Sequence, residues 1–291
     1  INVFTDLFFA SGIAGAAAGL GYANLLVQTP LGLVSNALLV PLLPVFSRLT
    51  APEDRPELVA RIRQGLMLSS ACMLPLGALM VGLADPLVAL VYERGAFDHQ
   101  AAHRVGALLM AYGLGMPAYL GRDVLVRVFY ALGDGVTPFR FSMAGIGFNA
   151  IFDWLLVGCP TPWGLALPAL NFGAPGLVLA TVLVNLLTCL ALLLALRRRL
   201  GALPLLAWFR DTLRLAGAAV VMAVVAWTVC RVLGRPGMEQ GLAALSLDLV
   251  GGGGLAVITY WVLARATRVP EAQQLFGLVL SRLPGRRRSG R

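Results

Sequence analysis

The chain contains no lysine; every one of its 23 basic residues is arginine. Charge of either sign is scarce, at 13% of 291 residues, about half the share found in a soluble domain. With 58% hydrophobic residues and a mean hydropathy of +0.81, a soluble globular domain is excluded. The class left is an all-α, polytopic transmembrane helix bundle. The four cysteines (Cys72, Cys159, Cys189 and Cys230) form no C-x-x-C pair, which excludes a zinc knuckle and a disulfide framework. They read as buried free thiols. Only two histidines occur. His99 and His103 have the i, i+4 spacing of a metal pair, but no H-E-x-x-H motif supports them. No nucleophile elbow, P-loop or dinucleotide fingerprint is present, so no cofactor and no covalent chemistry are expected. A surface glycosyl- or acyltransferase would have to rely on the loop acids Glu53/Asp54 or Glu93/Asp98, or on the histidines, and none sits in a supporting motif.

What is present is a succession of long apolar runs. A short first segment, 1–14, is below the ~20 residues a bilayer needs. It reads as a helix already under way in a C-terminal fragment. Helical runs are expected over about 20–46, 66–91, 105–132, 138–157, 175–196, 207–233 and 242–264. Pro30, Pro41 and Pro44 fall inside the run over 20–46, as membrane helices tolerate. Polar loops are expected over 47–64 and 92–103, with a Pro/Trp/Gly-rich loop over 159–174. The glycines Gly251 to Gly254 read as a close-packing stretch. The segment Glu271 to Leu283 reads as an interfacial helix ahead of Arg286-Arg287-Arg288. These runs divide into a lobe over 1–199, a helix pair over 200–267 and a basic tail over 268–291.

Arginine placement orients the chain. Eighteen arginines fall on one side of the alternating topology and four on the other, with Arg122 inside a helix. By the positive-inside rule, Arg197 to Arg199 and the C-terminus are cytoplasmic, and Gly164 and Gly237 lie outside. The net charge of +9 then reflects topology and contact with anionic membrane lipids, not nucleic acid.

An ionisable group at membrane depth usually serves a pathway, an ion or a partner. Asp153 and Asn149 lie four apart on one helix face. The inferred topology puts Asp6 and Thr181 at a matching depth, roughly 6–12 Å from the outer ends of their helices. Two carboxylates, an amide and a hydroxyl, with the Leu177 carbonyl one turn before Thr181, are hard oxygen ligands suited to Na⁺. A coupling proton is the alternative. A second polar group, Arg122, Asp123 and Arg127, reads as an Asp123–Arg127 pair near the cytoplasmic end of its helix. It is either a snorkelling cluster or a gate or phosphate contact.

Three stretches resemble the MurJ (MviN) family, lipid II flippases of the MOP exporter superfamily. The first runs from Phe9-Ala10-Ser11 through Tyr22-Ala23-Asn24-Leu25 to Leu42-Leu43-Pro44-Val45-Phe46-Ser47-Arg48. The second, Phe129-Tyr130-Ala131 with Asp134 and Thr137-Pro138, is similar to the family's F-Y-A-x-x-D-x-x-T-P loop. The third is Gly176-Leu177-Val178-Leu179-Ala180-Thr181. The resemblance implies a fold of two six-helix lobes and a final pair, of which this chain would be the second lobe plus the pair. It also implies a bacterial inner-membrane protein that moves a lipid-linked saccharide-pyrophosphate by alternating access for cell-wall biogenesis. Partners among cell-wall synthesis proteins would follow. Many members carry Asp-Arg after Tyr-Ala; here those positions are Asn24 and Leu25, which removes a charge expected to face the pyrophosphate. Other expectations for this architecture are a different polysaccharide-lipid flippase, a cation-coupled exporter, or a scaffold that transports nothing.

Overall fold

A computed structural model of the chain describes residues 2–95, 97–157, 170–201, 203–233, 242–267, 269–271 and 273. The described residues form nine α-helices and no strand: α1 (Asn2–Ala10), α2 (Ala16–Arg48), α3 (Arg55–Gly82), α4 (Ala84–Tyr92), α5 (His99–Ala131), α6 (Val136–Val157), α7 (Ala174–Leu200), α8 (Leu205–Leu233) and α9 (Leu242–Ala266). Five of them (α2, α3, α7, α8 and α9) are long and apolar enough to cross a membrane. At 33 and 22 residues, α5 and α6 have the length as well. They are the helices that carry Arg122/Asp123 and Asn149/Asp153.

Several boundaries differ from the sequence reading. The run expected over 66–91 is two helices, broken at Leu83. Pro86 lies in the first turn of α4 and has no N–H to return to the Gly82 carbonyl, so the ladder stops there. The loop expected over 47–64 is mostly helix: Pro56 sits at its first turn, and Leu58, Ile62 and Gly65 bury one face while Glu57 and Arg61 cover the other. α5 starts at His99 because the Asp98 side chain caps it, accepting from the Ala101 N–H at 2.8 Å. The first segment ends at Ala10 instead of 14, and α2 begins after Gly15, whose φ of 77° suits glycine. α2 runs unbroken through its three prolines.

The packing follows the solvent. On α6 the buried positions include Gly145, Asn149 and Asp153, while Phe139, Met143, Phe148, Ile151 and Leu155 face outward. α7 repeats the pattern, with Asn185 and Thr188 inside and Leu183, Leu186, Leu187, Leu190 and Leu194 outside. In water that arrangement would be inverted; in a bilayer the apolar faces meet lipid and the polar groups turn inward. α5 is the central helix, packed on α2, α3, α4 and α7. Glycines set the close crossings. A Cβ on Gly77 of α3 would run into the Gly113 carbonyl of α5, and one on Gly82 would meet the Ala223 carbonyl of α8 at 2.6 Å.

α8 and α9 pack on each other and on α3, where the Tyr260 hydroxyl donates to the Ala71 carbonyl at 3.1 Å. Of the glycine stretch in α9, Gly252 faces the Cys230 sulfur across the α8–α9 contact and Gly253 faces Leu83. An ion cluster at the arginine-rich end ties α8 and the residue Glu271 beyond α9 to α3. Arg63 of α3 donates to Asp211 of α8 at 3.0 Å and to Glu271, beyond α9, at 2.6 Å.

The loop between α5 and α6 is pinned by its aspartate. Asp134 accepts from the Thr137 N–H at 3.0 Å, the Thr137 hydroxyl at 2.8 Å and Arg199 of α7 at 2.6 Å. The Thr137 hydrogen bonds, joined by the Arg199 charge, hold the carboxyl below its usual range. A depressed folded value means the contribution is complete above the unfolded value near 3.8 and is lost as pH falls through the folded one. Asp134→Asn is therefore expected to lower the melting temperature at neutral pH by a few degrees, the size of losing a helix cap (about 1 kcal/mol). The gap between variant and parent should close in acid; a gap that stays constant down to pH ~3 would refute this assignment.

Candidate functional site

The site is built where α1, α5, α6 and α7 meet. Four residues per turn-and-a-bit put Asn149 and Asp153 on one stripe of α6, and both are fully buried. The two amide hydrogens of Asn149 are divided between two carboxylates, Asp6 of α1 at 2.8 Å and Asp153 at 2.9 Å. The Asn149 carbonyl oxygen accepts from the Thr181 hydroxyl of α7 at 3.3 Å. The structure thus brings together Asp6, Asn149, Asp153 and Thr181 from three helices. Leu177 lies one turn before Thr181. Its side chain packs with Ala10, Ala16 and Val157 in the apolar layer above the acids, and its carbonyl sits within the helical ladder of α7.

Two carboxylates sharing one amide are under-compensated. Asp153 Oδ1 is buried and has no hydrogen-bond partner among the described residues. A bare charge there would cost several kcal/mol. The donor set consists of hard oxygens and includes one orphaned buried carboxylate oxygen, which fits a small monovalent cation or a proton on one acid. Among the described residues no group of three His, Cys, Asp or Glu is placed to hold a metal ion. His99 and His103 instead face Glu93 and Asp85 singly, at 3.5 and 3.3 Å. Cys72 and Cys189 are free thiols but half-buried, not fully buried; Cys159 lies outside the described residues.

The second polar group is arranged differently from the sequence reading. Asp123 pairs with its neighbour Arg122, at 2.9 Å, and not with Arg127. Arg127 makes no ion pair among the described residues. The pairing follows from Asn185 of α7, which the sequence reading missed. Its carbonyl oxygen accepts from Arg122 at 2.6 Å, so the guanidinium bridges Asn185 of α7 and the Asp123 carboxylate. Asn185 in turn donates to the Thr181 carbonyl at 2.7 Å. The ion candidates and the arginine cluster therefore meet at Thr181, whose hydroxyl serves the first and whose main-chain carbonyl serves the second. The signal in the sequence was an asparagine four residues after Thr181 in an otherwise aliphatic helix. Asn24 stands apart, on the exposed face of α2, accepting from Gln28 at 3.4 Å beside the outward-facing Leu25.

Fold and site together define a polytopic helical membrane protein with a buried acid pair and a half-buried arginine cluster between its helices. The family model described as "Lipid II flippase MurJ" matches residues 1–247, and the chain belongs to that family. It is 45% identical over 275 residues to "Probable lipid II flippase MurJ" of Synechocystis sp., an alignment covering 94% of this chain and 49% of that protein. It is 29% identical to "Lipid II flippase MurJ" of Burkholderia cenocepacia, over 72% of this chain and 38% of that one. A solved structure titled "Lipid II flippase MurJ, inward closed conformation" superposes with a TM-score of 0.69 at 20% identity, covering 97% of this chain and 52% of the other, and shows the shared fold. The chain spans about half the length of the curated relatives it matches.

Proposed function

We propose that this chain is the ion-coupled second lobe and final helix pair of a flippase that moves lipid-linked peptidoglycan precursor across the bacterial inner membrane. Membership of the family supports the cargo class, and the shared Asp6/Asp153 carboxylates support the coupling. The protein works as a transporter and not an enzyme: two bodies rock about a central cavity, and a cation gradient, Na⁺ or H⁺, resets them. The acids bind the cation from the outer side, and its charge offsets their burial. Arg122 and Asp123 lie deeper, toward the bundle centre. Contact with the pyrophosphate by Asn24-Leu25 is weak by chemistry, so the cationic contacts to the headgroup come mainly from the other lobe. The test is reconstitution of the full-length protein in liposomes carrying a fluorescent lipid II analogue. Flipping that accelerates with an imposed inward cation gradient is expected; no movement of the analogue, with or without a gradient, would refute the reading.

The orientation places Arg197 to Arg199 and the C-terminus in the cytoplasm, supported by the arginine asymmetry. Gly164 and Gly237 fall outside the described residues; the outer probe is Phe172→Cys, at a position exposed just before α7. The inner probe is Arg198, which leaves the Arg199–Asp134 pair intact. With single cysteines in otherwise cysteine-free full-length protein, an impermeant maleimide applied to intact cells should label position 172 strongly and position 198 only after permeabilisation. The reverse pattern would invert the topology.

A further inference from the structure

The hydrogen bonds between Arg122 and the acid pair have a common direction. Arg122 donates to Asn185, Asn185 donates to the Thr181 carbonyl, the Thr181 hydroxyl donates to Asn149, and Asn149 donates to both Asp6 and Asp153. Each amide is fixed in its orientation by its neighbours. A turned Asn185 would set its NH₂ against the guanidinium and its oxygen against the Thr181 carbonyl. The run is two stretches that meet at Thr181, whose main-chain carbonyl ends one and whose hydroxyl starts the other, and within each stretch the aligned bonds polarise one another. The run also holds Asn149 with its nitrogen toward the acids. To offer its oxygen to a cation lodged between the carboxylates, Asn149 must turn over. It then loses both carboxylate bonds and sets its NH₂ against the Thr181 hydroxyl. The Thr181 side chain must then re-orient, and Thr181 is also the residue whose main-chain carbonyl holds Asn185, so a displacement of Thr181 is what reaches Asn185 and Arg122.

We propose that Asn185 is a positioning residue that links cation binding at Asp6 and Asp153 to the placement of the Arg122 guanidinium. The acids lie near the outer end of the helices, and Asn185 lies about 17 Å down α7 from its first residue. This track of bonds, joined through Thr181, carries the state of the acid pair to a cation at mid-bundle depth, where an anionic cargo group would meet it. With the acids charged and cation-free, Arg122 is held against α7. With a cation bound, it is released to an anion. Linkage is reciprocal, so whatever weakens the track from the Arg122 end must strengthen cation binding at the acid end. The proposal rests on the reading of the acid pair as the coupling-ion site.

The experiment is a double-mutant cycle on purified full-length protein, with radiosodium binding as the readout and wild type, Asn185→Leu, Arg122→Met and the double variant as the set. Each single change should raise Na⁺ affinity about fivefold or more, the lower end of ordinary site-to-site coupling. The double variant should bind no tighter than either single one, because one track has been cut twice. A gain in affinity is not what a damaged fold produces. Asn185→Ser, too short to span from Arg122 to Thr181, replaces Asn185→Leu if the latter does not purify. Where the wild type takes up protons instead, infrared titration of the protonated carboxyl band reads the same cycle with the same sign, since the track's donors favour the charged acids. If Arg122→Met acts equally with and without Asn185, the influence is through space and the relay is wrong. If Asn185→Leu leaves affinity unchanged, it is likewise wrong. If Asp153→Asn and wild type bind the cation alike, the ion-site reading itself falls, which is a separate outcome.

Discussion

Asp153→Asn in the full-length protein is expected to cut gradient-driven flipping by at least about tenfold, and to leave what remains nearly independent of the cation gradient. Losing even a supporting partner of a bound metal ion costs about 10- to 100-fold, and Asp153 is proposed as a direct ligand. The substitution is nearly isosteric, so packing against α7 is preserved. It removes one negative charge, and the side-chain amide can keep its oxygen toward the Asn149 amide hydrogen while its NH₂ takes the place of the orphaned Oδ1. The variant should insert, purify and melt at or above the wild-type temperature. A buried carboxylate oxygen without a partner is removed, and relief of that burden stabilises. Loss of transport with gain of stability distinguishes a functional acid from a structural one. Asn149→Leu should act in the same direction on transport but lower stability, because it strands both carboxylates. Leu177→Ile should change little, because its side chain lies in the apolar layer. Wild-type flipping and unchanged ion dependence in Asp153→Asn would reduce the cluster to interhelical hydrogen bonding.

How far the site was legible depended on the kind of regularity carrying it. The i, i+4 pair Asn149/Asp153 is visible because the helical period puts both on one face, and matching depths drew in Asp6 and Thr181. Depth gives no azimuth, however. Only the packed bundle shows that α1, α6 and α7 turn these residues toward one another. Asn185 was passed over because a single amide in a leucine-rich helix carries no charge, and Asp123 was assigned to Arg127 because local spacing was judged without α7. The same limit applies to the fold. Long apolar runs gave the helices, but polar faces disguised their ends: Glu57 and Arg61 suggested a loop where Leu58 and Ile62 were already burying one side of α3. The break at Leu83 was readable from Pro86 and was lost in the hydrophobicity of the surrounding residues. Asp134 and Thr137 were recognised as parts of a motif, but their task is structural: fastening the start of α6 to the end of α7 through Arg199.

Gly77→Val is expected to be the most damaging single change to the lobe. α3 crosses α5 at Gly77 and Gly113, where each residue faces the other's main chain. A Cβ on Gly113 would stand 2.7 Å from the Gly77 carbonyl oxygen, and one on Gly77 would collide with the Gly113 carbonyl. Backbone cannot swing aside as a flexible side chain can, so the helices must separate. Overpacking a core in this way costs about 1–3 kcal/mol, and more where main chain is the obstacle. In a membrane, where close van der Waals packing drives helix association, the gap also forfeits contacts along the crossing. The comparison is Gly147→Ala on α6, where nothing lies within 4 Å of the added Cβ. That change should be neutral or stabilising by up to about 1 kcal/mol, as for glycine to alanine in a helix. Thermal unfolding of the purified protein in detergent reads both. Gly77→Val should lower the melting temperature by several degrees or prevent recovery of folded protein, with Gly77→Ala intermediate. The consequence reaches the site through α5, which carries Arg122. Pushing α5 off α3 drives it against α7, where Gly115 is already in tight contact with Val182. Any Gly77→Ala protein that folds should therefore lose ion dependence of flipping more than it loses stability. Equal melting temperatures for Gly77→Val and wild type would show that the α3–α5 crossing is looser than the structure places it.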